Sequence, residues 1–225
     1  MAFLRKKDYE YLITEANLRQ IIDRDDSLLS EAITTAQAEV ESYLRNYYDV
    51  SDIFAGFIEF STSIPFTTDD RIVWIEQPHS TAMTYDTGDF TVFNCIIYKA
   101  LEDGITGAFN KSKWEEIAPN ETYYYCIADS TESYPNDTDY FAKGDSRNQQ
   151  IKTYTLDISL YHLHSRINPR NIPQLRMDRR DEAMKMLEKI SDGKITADLP
   201  VRSDVDDVAG HNIIYGSNYK KTWGY

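Results

Sequence analysis

The sequence predicts an α+β protein: a small bundle of about four helices, interrupted by an inserted β-rich domain and followed by an extended C-terminal arm. Helical periodicity occupies the first ~50 residues and returns over roughly residues 146–193. The stretch of about 95 residues between them has strand and turn chemistry and no helical period. Neither helical end is long enough to bury a core alone, so we expect the two ends to pack together.

The domain organisation follows from this pattern. We predict a discontinuous helical domain over residues 1–50 and 146–193, an inserted domain over residues 51–145, and an arm over residues 194–225. An inserted domain leaves and rejoins its host at neighbouring points, so we expect the two ends of the insert to lie close together.

Capping residues and apolar spacing predict four helices. Thr14 is the expected N-cap of the first helix and Ser27 that of the second. The third runs over about residues 148–166 and is apolar on two faces, which is typical of a central helix. The fourth begins near Pro173, with Gly193 as its C′ residue. The apolar stripe of the second helix is Leu29, Ala32, Ile33, Ala36, Val40, Tyr43, Leu44 and Tyr47.

Inside the insert, short runs of β-branched and aromatic residues lie between turn signals, which predicts strands. Residues 128–148 are polar and irregular and are predicted to be the linker that returns to the third helix. The predicted strands are residues 57–60, 72–75, 90–93, 96–100 and 123–127.

Charge is concentrated in the insert. The formal net charge of the chain is −13, and residues 50–144 carry 5 basic and 16 acidic side chains. Residues 145–192 are nearly balanced, with 9 basic and 7 acidic side chains. The insert is therefore expected to repel nucleic acid and to keep the chain in solution.

The cysteines and the apolar runs indicate where the chain is made. Cys95 and Cys126 have apolar and aromatic neighbours, which predicts buried free thiols; a disulfide would require an oxidising compartment. The first residues contain no apolar h-region, so a secretory signal is not expected. No run approaches the ~18 apolar residues of a membrane span, so no membrane is expected among the partners. Together these features favour assembly in a cytoplasm.

No known catalytic or metal-binding motif is found in the sequence. His162 and His164 are two residues apart on a predicted helix, which places them on different sides and rules out a shared metal. Asp69-Asp70 and Thr87-Gly88-Asp89 lack the ligand spacing of a calcium loop. Hydrolase, phosphate-binding and dinucleotide-binding motifs are not found. We therefore expect a non-enzymatic protein without metal or cofactor.

The last 32 residues show no periodicity but are rich in aromatic residues, which disordered tails usually lack. One interpretation is an extended arm that becomes ordered on a partner; the other is a disordered tail. The predicted anchors of the arm are Ile213, Ile214, Tyr215, Tyr219, Trp223 and Tyr225.

The helical sequences, taken in order, resemble a known family. Residues 11–14 read Y-L-I-T, and the other three stretches are residues 40–48, 156–166 and 180–195. This order is similar to the head–tail connector (adaptor, or head-completion) proteins of tailed bacteriophages. Those proteins share a Y-I-T start, then A-x-x-E-I-D-x-Y-L, D-I-A-x-Y-x-L and A-x-x-x-L-x-x-I-x-x-G-K. The resemblance covers about 110 of the 225 residues.

The resemblance implies a structural virion protein of the phage neck, between capsid and tail. Such proteins form a ring, usually of twelve copies, that docks on the portal protein, extends the DNA channel and offers a platform to another neck or tail protein. Packaged DNA passes through the lumen without sequence-specific binding. Connectors normally join the second and third helices by a short loop. The long insert and aromatic tail resemble those of neck ring proteins from crAss-like podoviruses.

The insert has a resemblance of its own, to small β modules related to chitin-binding domains. Those modules read Y-x-x-G-D-x-V-x-x-x-x-x-x-Y-x-A, followed by a tryptophan. The family's sugar-stacking aromatics follow the second tyrosine, where this chain has Leu101-Glu102-Asp103-Gly104. The resemblance implies an alternative function: a module that binds carbohydrate, capsid or host surface, carried on a helical support. The signature residues are Tyr85, Gly88, Asp89, Tyr98 and Trp114.

Overall fold

The computed structural model describes residues 2–167, 170 and 172–202. It confirms the α+β class, with helices and two β-sheets in one chain. Contacts between residues divide the chain into two compact units. The β-rich unit is Met1–Leu18 with Phe54–Lys152, and the helical unit is Arg19–Ile53 with Thr153–Tyr225.

The β-rich unit contains two sheets. The described strands are β1 (Ile58–Glu59), β2 (Arg71–Trp74), β3 (Phe90–Phe93), β4 (Ile96–Ala100), β5 (Trp114–Pro119), β6 (Thr122–Cys126) and β7 (Phe141–Lys143). The first sheet has the order β1-β2-β6-β7, with β1 parallel to β2 and the other pairs antiparallel. The second is the antiparallel meander β3-β4-β5. Short 3-10 helices lie at Lys6–Tyr11 and Lys111–Lys113.

Two apolar clusters lie among the described residues of the β-rich unit. Trp74 of β2 and Ile97 of β4 are both fully buried in the larger cluster, which therefore includes residues of both sheets. The other members of this cluster are Phe66, Ile72, Tyr124, Cys126 and Phe141. The smaller cluster belongs to the meander and its loops. Its members are Tyr85, Tyr98, Ala100, Ile105 and Trp114.

The helical unit contains two long helices and most of a third. The described helices of the chain are α1 (Glu15–Ile21), α2 (Asp26–Leu44), α3 (Val50–Ile53), α4 (Gln149–Ile167) and α5 (Gln174–Ser191). The predicted stripe of α2 is largely confirmed, since Leu29, Ala32, Ile33, Ala36, Val40 and Leu44 are buried. Gly193 adopts φ +69° just past α5, which confirms it as the C′ residue.

Capping was predicted correctly for the first helix and wrongly for the second. The Thr14 hydroxyl accepts from the Asn17 backbone N–H at 3.4 Å, at the start of α1. At α2 the N-cap is Asp25, whose carboxylate accepts from both the backbone N–H and the hydroxyl of Ser27. A carboxylate also interacts favourably with the positive end of the helix dipole, so Asp25 caps in place of Ser27.

Two strands lie in segments where the periodicity predicted none. β7 lies within the predicted linker, where Phe141 is buried and faces Cys126 of β6. Its three residues are too few for an alternating pattern to be visible. β5 alternates poorly because a register irregularity in its pairing with β4 falls between Ile97 and Tyr98.

The N-terminal segment groups with the β-rich unit, whereas the sequence had placed residues 1–50 with the helices. Phe3, Leu4 and Tyr9 are almost completely buried. Phe3 packs edge-to-face on Phe54 with ring centroids 4.8 Å apart. Helical periodicity in a sequence reports local conformation and does not specify the unit on which a segment packs.

A fully buried arginine holds this segment in place. Arg147 donates through both terminal nitrogens to the Asp8 carboxylate, at 2.9 and 2.6 Å. Its Nε and one terminal nitrogen donate to Asp145 at 2.8 and 2.7 Å, and the remaining N–H donates to the Phe3 carbonyl at 2.6 Å. All five donors of the guanidinium therefore have acceptors. Lys152 adds a second cation, 3.2 Å from Asp8 and 2.8 Å from Asp145.

Aromatic rings enclose the same guanidinium. Its central carbon lies 4.6 Å from the ring centroid of Phe57 and 5.1 Å from that of Tyr123, two rings that stack on each other at 4.3 Å. The Tyr123 hydroxyl donates to Asp8 at 3.2 Å. We call Asp8, Asp145, Arg147 and Lys152 the Arg147 cluster. Its two carboxylates balance its two cations, which is how buried charge is tolerated.

The environment of the two carboxyl groups shifts their pKa. Burial opposes ionisation of Asp145, but hydrogen bonds from Arg147 and Lys152 outweigh it and hold the pKa of Asp145 well below its usual range. The pKa of Asp8 is lowered in the same way, against burial, by Arg147, the Arg5 backbone N–H and Lys152. Both groups therefore stay ionised in the folded chain at neutral pH.

Removing the arginine should destabilise the β-rich unit. Arg147→Ala leaves the buried Asp8 and the partly buried Asp145 with only Lys152 to balance them, so we expect a loss of about 3 kcal/mol in the free energy of unfolding. Urea unfolding followed by tryptophan fluorescence measures it, since Trp74 and Trp114 both lie in this unit. Lys111→Ala, which breaks the exposed Lys111–Glu116 pair, is the control and should change stability little. Full stability of Arg147→Lys would show that the five-donor geometry is dispensable.

The same unit should lose stability in acid. The pKa values of Asp8 and Asp145 are lower in the folded chain than in the unfolded chain, so their contribution is complete above the unfolded-state pKa of about 4. It declines as the pH falls below that value through the folded pKa values. Urea unfolding between about pH 6 and 2 should show this decline, and Asp145→Asn should flatten it. Asp139→Asn, at an exposed position, is the control. If the dependence of unfolding free energy on pH were unchanged in Asp145→Asn but weaker in Asp139→Asn, Asp145 would not be a source of the acid sensitivity.

Candidate functional site

The structure brings the signature residues of the insert into one small region, in two different roles. Tyr85, Tyr98 and Trp114 are buried in the smaller apolar cluster. The Tyr85 and Trp114 rings meet edge-to-face at 5.2 Å, and Phe109 packs on both Trp114 and Tyr98, at 5.7 and 4.9 Å. These signature rings form the core of the meander, so they are not available to stack on a sugar.

The other two signature residues build a turn. Gly88 has φ +99°, a conformation that favours glycine, and its N–H donates to the Ala100 carbonyl at 3.0 Å. One Asp89 carboxylate oxygen accepts from the Asp86 backbone N–H at 2.8 Å. Asp86 in turn accepts from the Gly104 N–H at 3.0 Å. Gly88 thus ties the turn to the end of β4, Asp89 closes the turn itself, and Asp86 ties it to the loop after β4.

A cleft of about 320 Å³ opens beside this turn and is the candidate functional site of the β-rich unit. Tyr85, Phe90, Tyr134, Glu76 and Asp89 are among the residues that line it. Phe90 and Tyr134 are packed together with centroids 4.5 Å apart. The other lining residues are Gln77, Met83, Thr84 and Thr91, so every charged side chain in the lining is acidic.

Glu76 is held at the cleft by its neighbours. One of its carboxylate oxygens accepts from the Trp74 indole N–H at 2.7 Å, and its backbone N–H donates to the Asn120 side chain at 3.1 Å. Burial raises the pKa of Glu76, and the hydrogen bond from Trp74 only partly offsets this. A nearby cation would favour the ionised form of this half-buried carboxylate.

The negative charge of the cleft affects the pKa of Tyr134. Burial raises the pKa of its hydroxyl, and the charges of Glu76 and Asp89 raise it further. Sequence reasoning missed both Glu76 and Tyr134. The W-x-E spacing directly after β2 was the available signal for Glu76, whereas Tyr134 lies in the segment predicted to be a linker.

The helical unit carries a second group of polar contacts. His162 of α4 lies 2.8 Å from the Glu39 carboxylate of α2. Asp157 of α4 and Arg179 of α5 are 3.3 Å apart. Burial raises the pKa of Asp157, against the opposing effect of Arg179. Within the described ranges, no group of three or more His, Cys, Asp and Glu side chains is placed to hold a metal ion.

Apolar side chains are exposed where α4 ends and α5 begins. Ile167 is 57% exposed and Leu175 is 59% exposed. Considering the described helices alone, none is long and apolar enough to cross a membrane.

The beginning of the predicted arm packs on the helical unit. Leu199 is buried, the Asp49 backbone N–H donates to the Pro200 carbonyl at 2.8 Å, and Val201 bridges to Tyr48. The arm predicted from residue 194 therefore has a first part that belongs to this unit. The predicted anchors Ile213, Ile214, Tyr215, Tyr219, Trp223 and Tyr225 lie outside the described residues.

Sequence comparison adds one relationship. A family model described as "Bacteriophage Mu, Gp36" matches residues 145–214. The match indicates a bacteriophage structural protein. It spans roughly a third of the chain, contains α4 and α5, and leaves the β-rich insert before residue 145 unmatched. No curated protein and no solved structure was found to match the chain.

The two cysteines differ in environment. Cys126 is buried in β6, and its thiol lies 3.0 Å from the Ala128 carbonyl. Burial raises the pKa of this thiol. Cys95 is exposed, because Asn94 and Cys95 form the tight β3–β4 turn with φ +50° and +63°. The prediction that both thiols are buried is therefore wrong for Cys95. Both are free thiols in the structure.

Thiol reactivity should separate the two cysteines. In the native protein at neutral pH, a thiol-reactive dye should modify Cys95 quickly and Cys126 slowly, because Cys126 is buried and its pKa is raised. Under denaturing, non-reducing conditions both should react. Cys95→Ser should remove the fast phase and leave the slow one. Two fast phases in the native protein would mean that β6 is exposed.

Proposed function

We propose that the chain is a ring-forming structural protein of a bacteriophage neck that docks on the portal, extends the DNA channel and links head to tail. The observation that carries the proposal is the family match over residues 145–214. It falls on α4 and α5, where two of the four connector-like sequence stretches also lie. The neck position, the portal and the usual number of twelve copies come from the resemblance to head–tail connectors.

The helical unit offers a surface for ring contacts. Ile167 and Leu175 expose apolar side chains inside the matched span. A head-to-tail contact between one such patch and a different surface of the next copy closes into a ring when the rotation between copies allows it. Burial of an exposed leucine at the contact favours association by roughly 1.5–3 kcal/mol before the entropic cost of binding.

The charge of the insert fits a channel protein that does not read DNA. Residues 50–144 carry 5 basic and 16 acidic side chains, so this surface repels the phosphate backbone. In this proposal DNA passes through the lumen without sequence-specific binding. The anchors beyond the described residues, Trp223 among them, would bind the portal, a neighbouring subunit or a tail protein.

The alternative is a module that binds carbohydrate, capsid or host surface. One observation favours it: aromatic and acidic residues line the same cleft, a combination found in ligand sites. The burial of Tyr85, Tyr98 and Trp114 counts against sugar binding through the signature residues. Glycan-array binding that is lost in Tyr134→Ala would favour this alternative over the neck.

Native mass spectrometry with and without portal protein tests the proposed ring. The chain should form a closed oligomer or join the portal ring, and Leu175→Glu should weaken this strongly, because a charge would be placed in an apolar contact. Thr34→Glu is the matched control: it adds the same charge at an exposed position of α2.

The control makes the outcome interpretable. Thr34→Glu should assemble as the wild type does. Circular dichroism should be the same for both variants, because neither position is in the core. The neck ring would be ruled out if the wild-type chain stayed monomeric with portal protein present and Leu175→Glu gave the same result.

A further inference from the structure

We propose that the cleft between Glu76, Asp89 and Tyr134 is a docking site for the Lys220–Lys221 segment in the C-terminal arm of a neighbouring copy of this chain. The Glu76 and Asp89 carboxylates would pair with lysine ammonium groups. The Phe90 and Tyr134 rings would contact the lysine stems and the aromatic residues beside them.

The first argument is charge. The charged side chains that line the cleft are Glu76 and Asp89, both acidic. The Trp74 indole occupies one oxygen of the Glu76 carboxylate, and the Asp86 backbone N–H occupies one oxygen of Asp89. Each carboxylate retains acceptor capacity, since an ionised carboxylate accepts through two oxygens. The surrounding insert is itself strongly acidic, so a basic segment is the complementary ligand.

The second argument is the combination of charge with aromatic faces. Phe90 and Tyr134 pack with ring centroids 4.5 Å apart and line the cleft together with Glu76 and Asp89. The Lys99 ammonium lies 6.0 Å from the Phe90 ring centroid, so the Tyr134 ring is the one proposed to meet the docked lysine. An ammonium group is attracted both by carboxylates and by the face of an aromatic ring. The volume of about 320 Å³ admits a lysine side chain together with part of a neighbouring residue. A neutral sugar would use the rings but would leave the negative charge of the cleft unpaired.

The third argument is the composition of the arm. Residues 208–225 contain Lys220 and Lys221 and no acidic side chain. Tyr219 and Trp223 flank the two lysines, so this segment combines the two chemistries that the cleft complements. The described chain reaches Arg202 in the helical unit, which leaves 23 residues beyond it.

The choice of a neighbouring copy rests on the proposed function, because a ring brings the arm of one subunit to the next. Exchange of arms would add a second contact to the helical one and so strengthen ring closure. The docking itself requires no portal. It can therefore be measured on the isolated chain, separately from ring assembly on the portal.

The experiment uses three full-length double variants. Glu76→Gln with Asp89→Asn removes the charge of the cleft and keeps the acceptor oxygens that hold Trp74 and Asp86. Lys220→Gln with Lys221→Gln removes the charge of the arm. Glu115→Gln with Glu132→Gln is the matched control, because it removes two exposed carboxylates elsewhere in the same unit.

Self-association is measured by sedimentation velocity at low and high salt. The cleft variant and the arm variant should each associate at least roughly fivefold more weakly than the wild type, as expected for the loss of a partly buried ion pair. The control should match the wild type. Salt should weaken the wild type more than either charge variant.

Mixing the cleft variant with the arm variant shows whether the arm that occupies a cleft comes from a neighbouring copy. Each mixed pair retains one intact cleft facing one intact arm, so heteromeric association should return to at least about half of the wild-type extent. A mixture that stays as weak as either variant alone overturns docking between copies. Wild-type association in both charge variants overturns the cleft as the site. So does a chitin oligosaccharide that binds the cleft while a peptide of residues 208–225 does not.

Discussion

The β-rich unit depends on a single buried guanidinium. Arg147 is the point where the chain leaves the β-sheets toward α4, and Asp8 is near the start of the chain. Two carboxylates, a carbonyl and two stacked rings satisfy this one side chain on every side. A buried arginine without these partners would be too costly to retain, so the contacts couple the stability of the N-terminal segment to that of the sheets. The insert is thereby completed by residues that precede the first helix.

Two signature residues of the insert, Tyr85 and Asp89, have a structural role and also line the cleft. Tyr85 contributes to the core through its contact with Trp114 and also lines the cleft. Asp89 closes a turn, because one of its carboxylate oxygens accepts from the Asp86 backbone N–H. The same residue also lines the cleft. Because core and cleft share these side chains, the turn that defines the module also positions the acidic group at its surface. A ligand of the proposed cleft would therefore meet carboxylate and aromatic residues, since Trp74 and Trp114 are buried.

The helical unit carries the relationship to phage proteins, and the β-rich unit carries most of the negative charge. Apolar exposure at Ile167 and Leu175 supplies a candidate contact between copies. The acidic cleft supplies a candidate contact for a basic segment. Apolar patches fix where surfaces meet, whereas complementary charge mainly sets partner choice and association rate. In the proposed ring, each subunit would have one apolar contact through Ile167 and Leu175 and one charged contact through the cleft.

The sequence by itself determined the α+β class, the bounds of α4 and α5 to within about two residues, the strands around residues 90–100 and the C′ glycine at 193. These features arise from periodicity, capping and turn chemistry, which act over a few neighbouring residues. The second helix was predicted too long, because its stripe ran to Tyr47 whereas α2 ends at Leu44. Only the tertiary structure decided that Asp8 pairs with Arg147, 139 residues away, and that Glu76 and Tyr134 share a cleft. It also decided that β7 adds to the sheet and that Met1–Leu18 packs with it. Such pairings depend on which distant segments meet when the core closes, and no local pattern in the chain encodes that choice.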